Sequence, residues 1–189
     1  MIPLEPDKYY PLFNRANGNE RIFRNPDNYK FFLKKYKQHI SSICDTFCYC
    51  LMPNHFHFLI RIKDEYTLKG LANFKEGITL DIFLSKQFSN LFSSYTQALN
   101  KQVNRKGSLF MRAFKRKPIE DEAYLIKLVQ YIHCKPVEAG LCDKVDEWKY
   151  SSYNALVSSK PTLLNRDELL KYFDDLSNFK FLHSSLPEQ

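Results

Sequence analysis

No apolar run in the 189-residue sequence approaches the ~20 residues that span a bilayer. Met1-Ile2-Pro3-Leu4-Glu5 lacks the basic-then-apolar pattern of a signal peptide. The expectation is a cytoplasmic protein. An even, regularly spaced cysteine set is also missing. Cys44, Cys48, Cys50, Cys134 and Cys142 are odd in number and irregular in spacing, which argues against a disulfide framework. None forms the C-x2-C pair of a zinc ribbon. Cys48 and Cys50 fall on a predicted strand and read as small buried hydrophobes. No internal repeat is present. The most informative absence is of acid: from Ile82 to Ile119 there is no Asp or Glu. The same stretch carries Lys86, Lys101, Arg105, Lys106, Arg112, Lys115, Arg116 and Lys117, in a chain of net charge +7. That is an electrostatic footprint for a polyanion. Phe88, Phe92, Tyr95, Phe110 and Phe114 interleave it. A solvated helix face over core aromatics accounts for some of these residues. The missing acid favours nucleic acid as the partner.

The length fits one domain with a sizeable core. We expect it over residues 1–175, with a tail over 176–189. Tyr9 opens a first strand over residues 9–14. Asn25-Pro26 starts a helix running to about residue 37, with Tyr29, Phe32, Leu33 and Tyr36 at helical spacing. Residues 43–51 and 55–62 form two strands joined at Pro53-Asn54 as an antiparallel hairpin. Residues 63–87 give no clear pattern. A helix covers 88–103, an extended basic segment 108–117, and a helix 120–134 that Pro136 stops. Two short helices follow over 148–157 and 166–173. This order predicts an α+β fold, an antiparallel sheet with helices packed on one face and the other face left for a ligand.

Two elements carry chemistry. In His55-Phe56-His57-Phe58-Leu59-Ile60-Arg61-Ile62, side chains alternate across the strand. Phe56, Phe58, Ile60 and Ile62 share an apolar face; His55 and His57 share the other. Two imidazoles so placed can converge on one metal ion or phosphate. Two solvated surface histidines is the plainer reading. In the helix beginning near Ala123, Tyr124, Lys127, Tyr131 and Lys135 line one face, and Leu125, Leu128, Val129 and Ile132 the core side. A neutral phenol is a weak nucleophile, and cations one turn away favour its ionised form and hold a phosphate in reach. Tyrosines between lysines are also common half-buried amphipathic residues.

Taken together the motifs resemble a known family. They are Leu51-Met52-Pro53-Asn54-His55-Phe56-His57-Phe58-Leu59-Ile60, Gly107-Ser108-Leu109-Phe110, Tyr131-Ile132-His133-Cys134-Lys135-Pro136-Val137-Glu138-Ala139-Gly140-Leu141, and Trp148-Lys149-Tyr150-Ser151-Ser152-Tyr153. In order and spacing they resemble the single-tyrosine HUH transposases, within them the REP-associated tyrosine transposase branch, over residues 9–173. The resemblance implies a ferredoxin-like α+β fold. It implies a divalent metal, Mg2+ or Mn2+, on His55 and His57. It implies Tyr131 as the nucleophile on a single-stranded DNA phosphodiester, giving a 5′-phosphotyrosine link and a free 3′-OH, commonly on an imperfect hairpin. The family's usual amide four residues after the tyrosine, which can supply a further metal ligand, is Lys135 here. His133 projects from a different part of the helix. The first strand's usual histidine and following glycine are replaced by Pro11 and Ala16.

The expectation is therefore a metal-dependent enzyme that nicks and joins single-stranded or hairpin DNA. Lys127 and Lys135 are the phosphate contacts. Lys101, Arg105, Lys106, Arg112, Lys115, Arg116 and Lys117 form the backbone-binding surface. A domesticated, catalytically weak hairpin-binding protein of the same fold is the alternative. An RNA-binding α+β domain is a third reading, which leaves the two histidines unexplained. The sequence is compatible with a monomer or a homodimer.

Overall fold

The computed structural model describes residues 3–111 and 118–184. Three strands form an antiparallel sheet in the order β1-β3-β2: β1 (Tyr9–Arg15), β2 (Cys44–Met52) and β3 (His55–Ile62). β3 is central. It pairs β1 with Phe13 opposite His57, and β2 with Cys50 opposite His57. The predicted hairpin is present, turned at Pro53-Asn54. The turn is fixed from outside, since Phe23 N donates to the Pro53 carbonyl and Ala16 N to that of Asn54. Beyond β1, Phe110 and Ile119 form isolated bridges to Ala16 and Tyr9.

Helices cover both faces of the sheet, where the sequence predicted one. On one side α1 (Pro26–Ile40) and α3 (Leu80–Gln102) pack over Phe56, Phe58 and Ile60. Asn25 caps α1, its side chain accepting from Asp27 N and Asn28 N, and Pro26 fits the first turn. On the other side α4 (Glu122–Glu138) lays Leu125, Leu128, Val129 and Ile132 over Phe47, Cys48, Cys50, Met52 and Leu59. The physical reason is β2. Its register slips between Thr46 and Cys48, and the extra residue puts Phe47 with Cys48 on the α4 side, while Thr46 meets Tyr36 of α1. A strand apolar on both faces needs two covers.

Several boundaries differ from expectation, among them the helix expected over 148–157, which begins only at Tyr153. α3 starts eight residues early because Thr79 caps it and Phe83, Leu84, Gln87, Phe88 and Leu91 continue one buried stripe. A short α2 (Glu65–Lys69) precedes it. Pro136 does not stop α4: it lies within the last turn, and the helix runs to Glu138 with Ala139 as its cap and Gly140, φ +65°, just beyond, where Gly140 N bonds to the Val137 carbonyl and Leu141 N to that of Pro136. The segment from Leu176, expected as a tail, is helical in α7 (Leu176–Leu182), with Phe179 fully buried in the α4-side core. Residues 185–189 lie outside the described residues. Short α5 (Tyr153–Val157) and α6 (Arg166–Lys171) complete that layer. Cys48 and Cys50 are buried, as expected, and so are Cys44 and Cys134; all four are free thiols. Among the described residues no helix is long and apolar enough to cross a membrane.

A buried polar chain ties α4, α7 and β2 together. His183 Nδ1 donates to the Phe179 carbonyl at 2.7 Å, which leaves its Nε2 to accept from His133 Nδ1 at 2.9 Å. His133 Nε2 lies 2.8 Å from Ser152 Oγ, which accepts from Tyr49 N at 2.8 Å and lies 3.1 Å from the Tyr49 carbonyl, the alternative acceptor for its one hydrogen. Burial favours the neutral form of both imidazoles. Burial drives His133 well below the usual histidine value, with the neighbouring His183 adding to it, and pushes His183 down to about 4. The unfolded chain takes up these protons near the ordinary 6.5, while the folded His183 refuses its proton until about 4. Stability is therefore intact above 6.5 and falls with pH across that window, by up to about 1.4 kcal/mol per pH unit per histidine. Urea midpoints should drop between pH 6.5 and 5, above the range where carboxylates titrate. His183→Gln should flatten the slope. Midpoints constant over that range would show that the pair does not titrate between the two states.

Candidate active site

At the open end of β3, between β1 and the C-terminal turns of α4, lies a cleft of about 710 Å³. His55 and His57 enter it from the sheet, Phe13 and Arg15 from β1, and Tyr131, Lys135 and Glu138 from α4. Strand alternation turns both imidazoles to the α4 side, and α4 covers β2 more fully than this end of β3. The ring centroids of His55 and His57 are 5.2 Å apart at 88°. Phe13 lies 4.8 Å from His57 and orders it. Tyr131 stands edge-on to His57, centroids 5.8 Å apart at 89°, and stays 38% exposed, so a ligand can reach it.

Both histidines keep lone pairs at neutral pH. Burial pushes His57 down to about 3, with the charges of His55 and Lys135 adding to the effect. Burial also lowers His55, followed by Lys135 and Arg15. Asn54 Oδ1 lies 2.7 Å from His55 Nδ1. With that oxygen accepting, the imidazole carries its proton on Nδ1 and turns the Nε2 lone pair to the cleft. The donor chemistry thus suits a divalent cation, but it stops at two nitrogens. Among the described residues no group of three His, Cys, Asp or Glu side chains converges. At position 135 an ammonium replaces a possible third donor.

Lys135 Nζ lies 3.7 Å from the Tyr131 ring centroid and donates to Glu138 Oε2 at 2.5 Å. Burial alone would lower its pKa, but hydrogen bonds to Glu138 and Tyr131 raise it overall, so the group is charged. This arrangement exists because α4 continues through Pro136. Residues 131, 135 and 138 then share a face, which a helix stopped before Pro136 would not provide.

The other expected contacts divide. Lys127 is exposed one turn before Tyr131 but does not line the cleft; Lys101 and Lys106 are exposed on and just after α3. Arg105 is not free for a phosphate. Nε and Nη2 bind Glu20, Nη1 binds Asn100 Oδ1 and the Gly107 carbonyl, and Nη2 also binds the Ser108 carbonyl. All five of its N–H groups are used. The missing acid was simply 85 residues away. Arg112, Lys115, Arg116 and Lys117 lie outside the described residues. Sequence reasoning missed Asn54, Phe13, Arg15 and Glu138. Asn54 and Glu138 stood inside the quoted motifs, and Phe13 and Arg15 fall opposite the histidines once β1 is paired. His133, set aside as a ligand, is fully buried.

An imidazole pair beside an accessible phenol and two cations can bind a phosphodiester and attack it. No protein-family model matches the chain. A curated Haemophilus influenzae protein that carries the name REP-associated tyrosine transposase is 26% identical over 121 residues, covering 61% of this chain. The match spans 62% of that relative's length. A solved structure of a REP-associated tyrosine transposase bound to a REP hairpin superposes with TM-score 0.63 at 15% identity, over 85% of this chain and 86% of that one. The chain is therefore similar to these transposases in sequence and shares the fold of the solved one, as the motifs had suggested.

Arg105→Ala should cost about 1–3 kcal/mol in stability, by loss of charged hydrogen bonds. It should leave the salt dependence of DNA binding unchanged. Lys101→Ala or Lys106→Ala should leave the melting temperature alone and flatten the log affinity–log salt slope by about 0.7 on single strands. A flattened slope in Arg105→Ala at full stability would return that residue to the DNA surface.

Proposed function

We propose that the protein nicks and rejoins single-stranded DNA, on or beside a hairpin, with Tyr131 as the nucleophile. The observation that carries this reading is the perpendicular approach of Tyr131 to His57 at 5.8 Å, within one cleft that also holds two cations. The similarity to a REP-associated tyrosine transposase, and the fold shared with one bound to a REP hairpin, support DNA as the substrate. In the reaction the Tyr131 oxygen attacks phosphorus and the P–O3′ bond breaks. The phenol gives up a proton and the departing 3′ oxygen gains one. The products are a 5′-phosphotyrosine and a free 3′-OH. A 3′-OH, the same or another, reverses the step and restores the phenol. One phosphodiester is exchanged for another, so no nucleotide triphosphate is consumed.

The fold holds Tyr131 at its angle through the buried partners of the same helix. Lys135, above the ring, favours negative charge growing on the phenol oxygen and can contact the phosphate. Lys127, Lys101 and Lys106 fit the strand beyond, where phosphate contacts fix position without reading sequence. His55 and His57 would hold a divalent ion weakly, with water or phosphate oxygens completing its shell, and Mn2+ suits imidazole better than Mg2+. Such an ion supplies polarisation of the phosphate and of the leaving oxygen. A binding protein that has lost catalysis is the second reading, favoured by Lys135 standing where a third metal donor could be.

The test is a labelled hairpin oligonucleotide with a single-stranded flank, incubated with and without Mn2+. The unmodified protein should form an adduct that survives denaturing electrophoresis. Tyr131→Phe keeps the ring and should abolish the adduct while changing DNA affinity less than threefold; Tyr124→Phe should retain it. An adduct in Tyr131→Phe would remove the nucleophile, and hairpin binding with no adduct under any metal would favour the second reading. Separately, the His55→Ala/His57→Ala double variant should lose at least tenfold in Mn2+ affinity by calorimetry, and an unchanged titration would remove the metal site.

A further inference from the structure

Glu138 is the one acidic residue among those that line the cleft. Among the described residues its carboxylate pairs with no cation but Lys135, and the pair is partly sheltered, with side-chain exposures of 18% for Lys135 and 30% for Glu138. A carboxylate presents oxygens to an ammonium much as a phosphate does. The residue thus sits where an incoming phosphate would compete for the same N–H donor. The neighbours make this specific. Besides the two histidines, the ionisable side chains of opposite sign that line the cleft are Arg15 and Lys135 on one hand and Glu138 on the other. Arg15 directs its Nε to Met111 Sδ and has no carboxylate partner among the described residues. Glu138 therefore quenches one of two cations, the one packed on the Tyr131 ring.

We propose that Glu138 is an internal placeholder for the substrate phosphate. It holds Lys135 over Tyr131 while the cleft is empty and yields the ammonium to the phosphate when a strand enters. This deepens the reading of the cleft as a phosphodiester site and rests on it. Glu138 acts through Lys135 and is a positioning residue. It keeps the lysine extended across the phenol, and it sets a threshold, because a weakly held anion does not displace it. Its spacing is what the role needs: three residues beyond Lys135 on a helix, close enough to bond the ammonium and one turn further from Tyr131.

The experiment uses the full chain in EDTA, so that metal binding does not enter the readout. The first probe is inorganic phosphate, followed by 31P line broadening; the second is a fluorescent single-stranded 12-mer, followed by anisotropy. Glu138→Gln, with Glu138→Ala as the second variant, should bind phosphate about two- to fivefold more tightly than the unmodified protein, the worth of one partly exposed ion pair. In a Lys135→Gln background the same change should give less than half that gain. An equal gain in both backgrounds would mean that Glu138 acts by general repulsion, and unchanged or weaker phosphate binding in both Glu138 variants would mean that it does not compete; either overturns the proposal. The 12-mer separates this from the broader reading. Tighter phosphate binding without oligonucleotide binding by any form keeps the placeholder and defeats the DNA assignment. The reverse pattern, DNA bound and phosphate indifferent to Glu138, defeats the placeholder alone. A structural role for Glu138 would instead lower the melting temperature and weaken both probes, and Glu138→Asp would not restore phosphate affinity to the unmodified level.

Discussion

The register of β3 is the constraint on which the rest depends. It is hydrogen-bonded on both edges, to β1 and to β2, so it cannot slide without breaking two ladders. A slip of one residue would send every side chain to the other face. Phe56, Phe58, Ile60 and Ile62 would leave the core shared with α1 and α3, and two imidazoles would enter it. Burying a histidine without a partner is unfavourable, as is taking large apolar side chains out of a core they fill and into an open cleft. The same alternation that fills one core therefore delivers His55 and His57 to the cleft. The folding pattern and the site geometry are a single fact about this strand.

The second requirement is that α4 lie at a fixed height over that strand. Packing of Leu125, Leu128, Val129 and Ile132 sets its distance but leaves some freedom to slide. The directional contacts remove it. His133 binds Ser152, which is itself held by the Tyr49 backbone of β2, and Trp148 Nε1 donates to the Leu51 carbonyl. Tyr131 is two residues from His133, so this anchor fixes the phenol relative to the β2–β3 hairpin. The motif residues around Trp148 to Tyr153 thus act at a distance from the cleft, by locking a helix to the strand beside the histidines. Their chemistry is structural and their consequence is the geometry of the cleft.

How far the sequence discloses this varies with the range of the interaction. The hairpin, the apolar face of β3 and the capped start of α1 are local patterns and read correctly. The covered second face of the sheet does not, because it depends on a one-residue bulge in β2, and Phe47-Cys48 carries no marker for it. Pro136 misleads for a different reason. Proline bars a helical hydrogen bond at one position, but the last turn can tolerate that loss when a glycine three or four residues on closes the helix. Phe179 of α7 sits in a short polar stretch that gives no period to read, and only its burial identifies it. In the site, His55, His57, Tyr131 and Lys135 were legible from spacing and meet in one cleft. Glu138 was visible in sequence and was assigned no role, since nothing local says whether a charge faces solvent or a neighbouring cation.

Charge counting illustrates the same limit in its sharpest form. Arg105 and Lys135 both looked like phosphate contacts. Arg105 is a rigid fork with five donors, and the loop around it satisfies every one, with a carboxylate from residue 20 neutralising the charge. It contributes fold stability and little field. Lys135 is a single point charge with three donors, held by contacts on one helix that a phosphate oxygen can match. A residue's type does not separate these two fates. What separates them is whether the folded chain has already supplied a full set of acceptors in the right directions. The net charge of +7 therefore overstates the cationic surface left open. Beside Tyr131 the open charge is that of Lys135, whose carboxylate partner among the described residues is its own helix neighbour Glu138.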